Sequence, residues 1–170
     1  PEAIKSAEGR QVFLVVIDNL RLDQWRSIEP MLSNLFSVVK DDTYMSILPT
    51  ATQYARNSLF AGLLPAEIKR LYPDWWINED EDGSKNKFED QLLKELLKRL
   101  GVQGRTSYHK VANLAAGRKL LDQFHETKGE SLTTIVYNFV DMLSHARTDM
   151  EVIKELADDE AAYRSLTLTW

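Results

Sequence analysis

Blocks of apolar positions separated by polar punctuation divide the chain into elements. Val12-Phe13-Leu14-Val15-Val16-Ile17 is an unbroken apolar run that ends on Asp18. Without alternation both faces are apolar, which predicts a central strand of a parallel sheet. Over residues 20–36, Leu22, Trp25, Ile28, Met31, Leu32 and Leu35 fall at helical spacing, and Pro30 is expected to kink or split that helix. Residues 37–48 have strand character around Val38-Val39 and Tyr44-Met45-Ser46-Ile47. Pro49-Thr50-Ala51-Thr52 then opens a short helix over 53–61, which Gly62 closes. Residues 65–77 carry a mixed pattern, and the acidic stretch 78–82 before Gly83 predicts a surface loop.

The second half repeats the alternation. Asn86 and Glu89 form a capping box for a helix with Phe88, Leu92, Leu93, Leu96, Leu97 and Leu100 on one face, ended by Gly101. A short strand is expected over 105–111 and a helix over 112–127. Thr133-Thr134-Ile135-Val136-Tyr137-Asn138-Phe139-Val140 reads as a second buried strand ending on Asp141. A last helix is expected from Thr148, capped with Glu151. Strands alternating with helices predict an α/β layered domain, a mainly parallel sheet flanked by helices.

Composition narrows the function classes. The chain has 170 residues and a formal net charge of −5, which argues against general affinity for a nucleic-acid backbone. There is no cysteine, so disulfides and thiolate zinc sites are excluded; this fits a cytoplasmic protein. No apolar run reaches membrane-spanning length and no signal peptide is visible, so no membrane partner is expected. Residues 1–10 read as a linker. The start at Pro1 and the stop at Trp170 within a helical pattern read as cuts.

The chemistry gathers at strand ends. Asp18 and Asp141 each follow an apolar run, and ligands in open α/β sheets collect at the carboxyl ends of strands. Two carboxylates there suit Zn²⁺, Mn²⁺ or Mg²⁺, although a strand-end aspartate also serves as a helix cap. In Asp141-Met142-Leu143-Ser144-His145 a carboxylate and an imidazole stand four positions apart, on one side of the chain if a helix begins there. His109 and His125 have no such strand-end carboxylate nearby. Thr52 stands at or just before a helix N-terminus, which favours an anion. A divalent metal beside its hydroxyl would make it a nucleophile towards phosphorus. Arg56, one turn on, suits a phosphate oxygen; the plainer alternative is a threonine N-cap and a solvent-facing arginine.

Three blocks occur together: Val-Ile-Asp-Asn-Leu-Arg-Leu-Asp-Gln-Trp at 16–25, Leu-Pro-Thr-Ala-Thr-Gln-Tyr-Ala-Arg at 48–56, and Tyr-Asn-Phe-Val-Asp-Met-Leu-Ser-His-Ala-Arg at 137–147. They resemble the PglZ domain of the alkaline-phosphatase superfamily, in that family's order and over residues 11–170. They are most similar to the version fused to a receiver in PorX-like response regulators.

The resemblance implies an alkaline-phosphatase-like fold and two metal ions, usually zinc. Asp18 would bind one ion together with the Thr52 oxygen, the nucleophile; Asp141 and His145 would bind the other. The preference for Thr52 over Thr50 follows the Thr-x-Thr pattern of the nucleotide pyrophosphatase/phosphodiesterase branch. The residues after Thr52 depart from that branch's Phe-Pro-Asn, which leaves Thr50 open. Arg56 and Asn19, or Asn57, would contact phosphate. The implied partners are a phosphodiester substrate, nucleotide-derived in one form, a receiver domain, and a sigma factor or sensor kinase. Superfamily members also need a later strand ending in Asp-His and a further His. None follows His145 here, so the resemblance implies a truncated domain that binds metal weakly and is nearly inactive. A regulatory interaction module, using Trp25, Trp75, Trp76 or the 78–82 loop, is the competing expectation.

Overall fold

The computed structural model describes residue 7, residues 9–78 and residues 80–146, excepting the side chains of the last four. The last helix expected from Thr148 lies outside the described residues. The chain divides into two compact units, residues 1–40 with 104–170, and residues 41–103.

The first unit is a three-stranded parallel sheet with helices, the α/β architecture expected. Strands β1 (Val12–Ile17), β2 (Thr106–Val111) and β3 (Leu132–Tyr137) lie in the order β1-β3-β2. Val12 pairs with Leu132 and Ile17 with Tyr137; Thr106 pairs with Leu132 and Val111 with Tyr137. Thus β3 is the central strand and is buried along nearly its whole length. The expectation of a central β1 is corrected: among the described residues it is an edge strand, with Phe13 and Val15 about half exposed. Its apolar run is genuine, but an apolar run does not specify sheet order.

Helix α1 (Leu22–Leu32) starts after Asn19, whose φ of 62° is left-handed, a conformation asparagine tolerates better than most residues. Arg21 N donates to Gln24 Oε1 at 3.0 Å, holding the first turn. Pro30 does not split the helix expected over 20–36; it sits in the last turn, and the helix ends two residues on. No strand forms over residues 37–48, contrary to expectation, and Val38, Val39, Tyr44 and Met45 are exposed. β-branched content there has no ladder partner among the described residues.

The predicted 112–127 helix is two pieces, an α-helix over Leu114–Asp122 and a 3₁₀ turn over Phe124–Thr127. Asn113 caps the former by accepting from Ala116 N at 2.8 Å. Val111, Leu120 and Ile135 form a buried cluster, with Tyr137 against it.

The second unit is helical. Helix α2 (Thr52–Ala61) closes at Gly62, whose φ of 59° is left-handed, and Gly62 N donates to Ser58 O at 2.8 Å. Helix α3 (Pro65–Leu71) has its proline in the first turn, where no intrahelical N–H is needed. Helix α4 (Glu89–Arg99) buries Leu92, Leu93 and Leu97, while Leu100 beyond it is exposed. The expected capping box does not form. Phe88 is the N-cap, and Asn86 Nδ2 donates instead to the Glu89 carboxylate at 3.0 Å. Numbering the helices in chain order, Leu114–Asp122 is α5 and Phe139–Ala146, which follows β3, is α6.

Candidate active site

The carboxyl ends of β1, β3 and β2 are tied side by side. Asp18 N donates to Tyr137 O at 2.9 Å, and Asn138 N donates to Val111 O at 3.1 Å. Asp18, half-buried, therefore stands immediately beyond the last ladder pair of β1 and β3. Asn19, beside it, is exposed.

Asp141 is not at a strand end. Strand β3 stops at Tyr137, four residues earlier, and Asp141 lies in the first turn of α6. The hydrophobic residues Phe139 and Val140 that seemed to prolong the strand are the buried side of that helix. The consequence for the site is small, because α6 starts at the same end of the sheet. Asp141 and His145 both fall within α6, at the four-residue spacing that puts two positions on one side of a helix. The His145 side chain lies outside the described residues.

Asp23 is a further carboxylate after β1. Its oxygens accept from Arg21 Nε at 3.0 Å and Nη2 at 2.7 Å. That hydrogen-bonded guanidinium holds the Asp23 carboxyl below the usual range.

Thr52 is the first residue of α2 and half-buried, with Ala51 as the N-cap; Thr50 is exposed. Ala51 offers no capping side chain, so this N-terminus keeps its anion preference. Thr52, Arg56 and Asn57 belong to the unit 41–103, whereas Asp18, Asn19, Asp141 and His145 belong to the other.

Arg56 is neither solvent-facing nor aimed at open space. Its Nε and Nη2 donate to the two oxygens of Glu89 at 2.6 and 2.7 Å, with both side chains buried. Asn57 is buried, and its Nδ2 donates to Lys85 O at 3.0 Å. Sequence reasoning missed Glu89 as the arginine's partner, since it assigned that residue to a cap.

Among the described residues no three histidine, aspartate or glutamate side chains converge as a metal group. The donor types at the sheet end nonetheless suit a divalent cation: two carboxylates, and Asn138, whose buried Oδ1 has no hydrogen-bond partner among the described residues. Among the described residues no helix is long and apolar enough to cross a membrane.

No curated protein matches the chain. The family described as the BREX system PglZ alkaline phosphatase-like domain matches residues 2–168. With nearly the whole chain matched, this chain belongs to the PglZ family of alkaline phosphatase-like domains.

Proposed function

We propose that the chain supplies catalytic residues to the intact domain of a metal-dependent phosphoester hydrolase acting on phosphodiesters. The observation that carries this reading is Asp18 and Asp141 at one end of the sheet, in a chain matched by an alkaline phosphatase-like family. Asp18 would hold one divalent ion, and Asp141 with His145 the other; zinc is the metal the superfamily pattern favours. When bound, such ions lower the pKa of a hydroxyl and balance charge on a transferring phosphoryl group.

Thr52 is the nucleophile in this reading, supported by the Thr-x-Thr pattern and its place in the first turn of α2. Its Oγ1 loses its proton and attacks phosphorus in line. The alcohol of the diester leaves, taking up a proton, and water then hydrolyses the phosphothreonine. The N–H groups at the start of α2 favour the anionic phosphoryl group. Asn19, exposed and beside Asp18, is a phosphate contact in the same reading. Arg56 is assigned a support role for α2, because two of its donors are held by Glu89.

The three sequence blocks also support a PorX-type setting. There the chain is the output part of a cytoplasmic response regulator, joined to a receiver domain. A sigma factor or sensor kinase would be its protein partner.

The test is hydrolysis of a chromogenic phosphodiester by the full-length protein and its Thr52→Ala and Thr50→Ala variants. Thr52→Ala is expected to lose roughly 10³-fold or more in rate, and Thr50→Ala to stay near the parent. Full activity in Thr52→Ala removes this threonine from the chemistry.

A further inference from the structure

Asn138 joins the central strand to α6, and its backbone is fully engaged. Its N–H donates to Val111 O at 3.1 Å, and its carbonyl accepts from Met142 N at 2.9 Å. An asparagine just before a helix ordinarily turns its side-chain oxygen onto the N–H groups of the first turn. Asn138 does not: its Oδ1 is buried and has no hydrogen-bond partner among the described residues. A buried amide oxygen in that state costs free energy, so its retention calls for a cause.

The other unpartnered buried atoms among the described residues stand elsewhere. Asn57 Oδ1, Ser58 Oγ and Gln91 Oε1 belong to the helical unit, and Thr134 Oγ1 lies inside β3. Of the two in the sheet-bearing unit, Thr134 Oγ1 and Asn138 Oδ1, only the latter is at the carboxyl end of the sheet. It follows Tyr137, whose carbonyl accepts from Asp18 N, and it precedes Asp141 by three residues.

We propose that Asn138 Oδ1 is an oxygen ligand of the divalent cation held by Asp141, an assignment that rests on the hydrolase reading above. A cation gives the orphaned oxygen a partner and explains why the asparagine oxygen is not turned onto the helix. An amide oxygen is a neutral hard donor, and beside a carboxylate it moves the site towards Mn²⁺ and Mg²⁺. It also adds a ligand from the same short segment that carries Asp141 and His145, towards the roughly three protein ligands an open metal site takes.

The test titrates the full-length protein with Mn²⁺, following free Mn²⁺ by electron paramagnetic resonance. Melting temperature is measured separately in chelator. Asn138→Leu removes the oxygen at similar volume. It is expected to bind Mn²⁺ roughly 10- to 100-fold more weakly, with an unchanged or higher melting temperature in chelator, since an unsatisfied acceptor is gone. Asn138→Asp, which keeps an oxygen, is expected to bind at least as tightly as the parent.

Parental Mn²⁺ affinity in Asn138→Leu, with affinity lost in Asp141→Asn, overturns the Asn138 assignment and leaves the hydrolase reading standing. A lower melting temperature in chelator with unchanged Mn²⁺ affinity shows an ordinary helix cap and overturns it too. Absence of Mn²⁺ binding by the parent overturns the assignment together with the metal reading beneath it.

Discussion

Arg56 and Glu89 form a two-pronged ion pair, Nε to Oε1 at 2.6 Å and Nη2 to Oε2 at 2.7 Å, with only 5 % and 1 % of their side chains exposed. Two charges at such depth tolerate each other's presence and not each other's absence. Glu89→Leu alone takes the carboxylate away from two buried guanidinium donors and is expected to destabilise the protein by about 3–5 kcal/mol. The double replacement Arg56→Met/Glu89→Leu is expected to recover most of that loss. Urea unfolding of the three proteins checks it; a double variant no more stable than Glu89→Leu would contradict the account.

Gly62 is required twice over. Its φ of 59° lies in the left-handed region, and an added Cβ would meet Leu96 Cδ1 at 2.8 Å. Gly62→Ala is expected to cost about 1–2 kcal/mol from the backbone alone, more if the leucine cannot yield. Gly101→Ala shares the positive φ but has open space around the new Cβ, so it should cost less. Thermal melts of the pair separate crowding from backbone strain.

At the amino end of the sheet a hydrogen-bond chain fixes the state of His109. Ser107 Oγ donates to Glu130 Oε2 at 2.5 Å, and Thr133 Oγ1 donates to the same oxygen at 2.6 Å while accepting from Gln11 Nε2 at 3.0 Å. Ser107 has one proton and has given it to the carboxylate. Towards His109 Nε2, 3.0 Å away, it can only accept. Neutral His109 is therefore expected to carry its proton on Nε2. Nitrogen chemical shifts read this directly, and a proton on Nδ1 instead would break the chain as described.

These particular residues show which parts of the molecule are written locally. Strand β3 and helices α2 and α4 follow from β-branched runs, a Gly62 stop and a leucine face, all signals within a dozen or so residues. The edge position of β1 was not readable, because Phe13 and Val15 are apolar whether or not another layer covers them; here Phe13 stacks on Phe124 at 5.5 Å. The end of β3 was misread for a related reason. An apolar pair such as Phe139-Val140 looks the same in a buried strand and in the buried side of a helix. Of the candidate site, the place of Asp18 directly after β1 and the four-residue Asp141–His145 spacing were legible in the sequence. The orphaned oxygen of Asn138 and the Arg56–Glu89 pair were not, since each depends on what the fold does or does not bring near.

The most direct test of the hydrolase reading compares metal content and phosphodiesterase activity of the full-length protein with those of its Asp141→Ala/His145→Ala variant. The account predicts divalent metal bound by the parent, with metal and activity lost together in the variant while the melting temperature in chelator stays close to the parent's. Metal and activity unchanged in the variant would contradict it, and would take Asp141 and His145 out of the site.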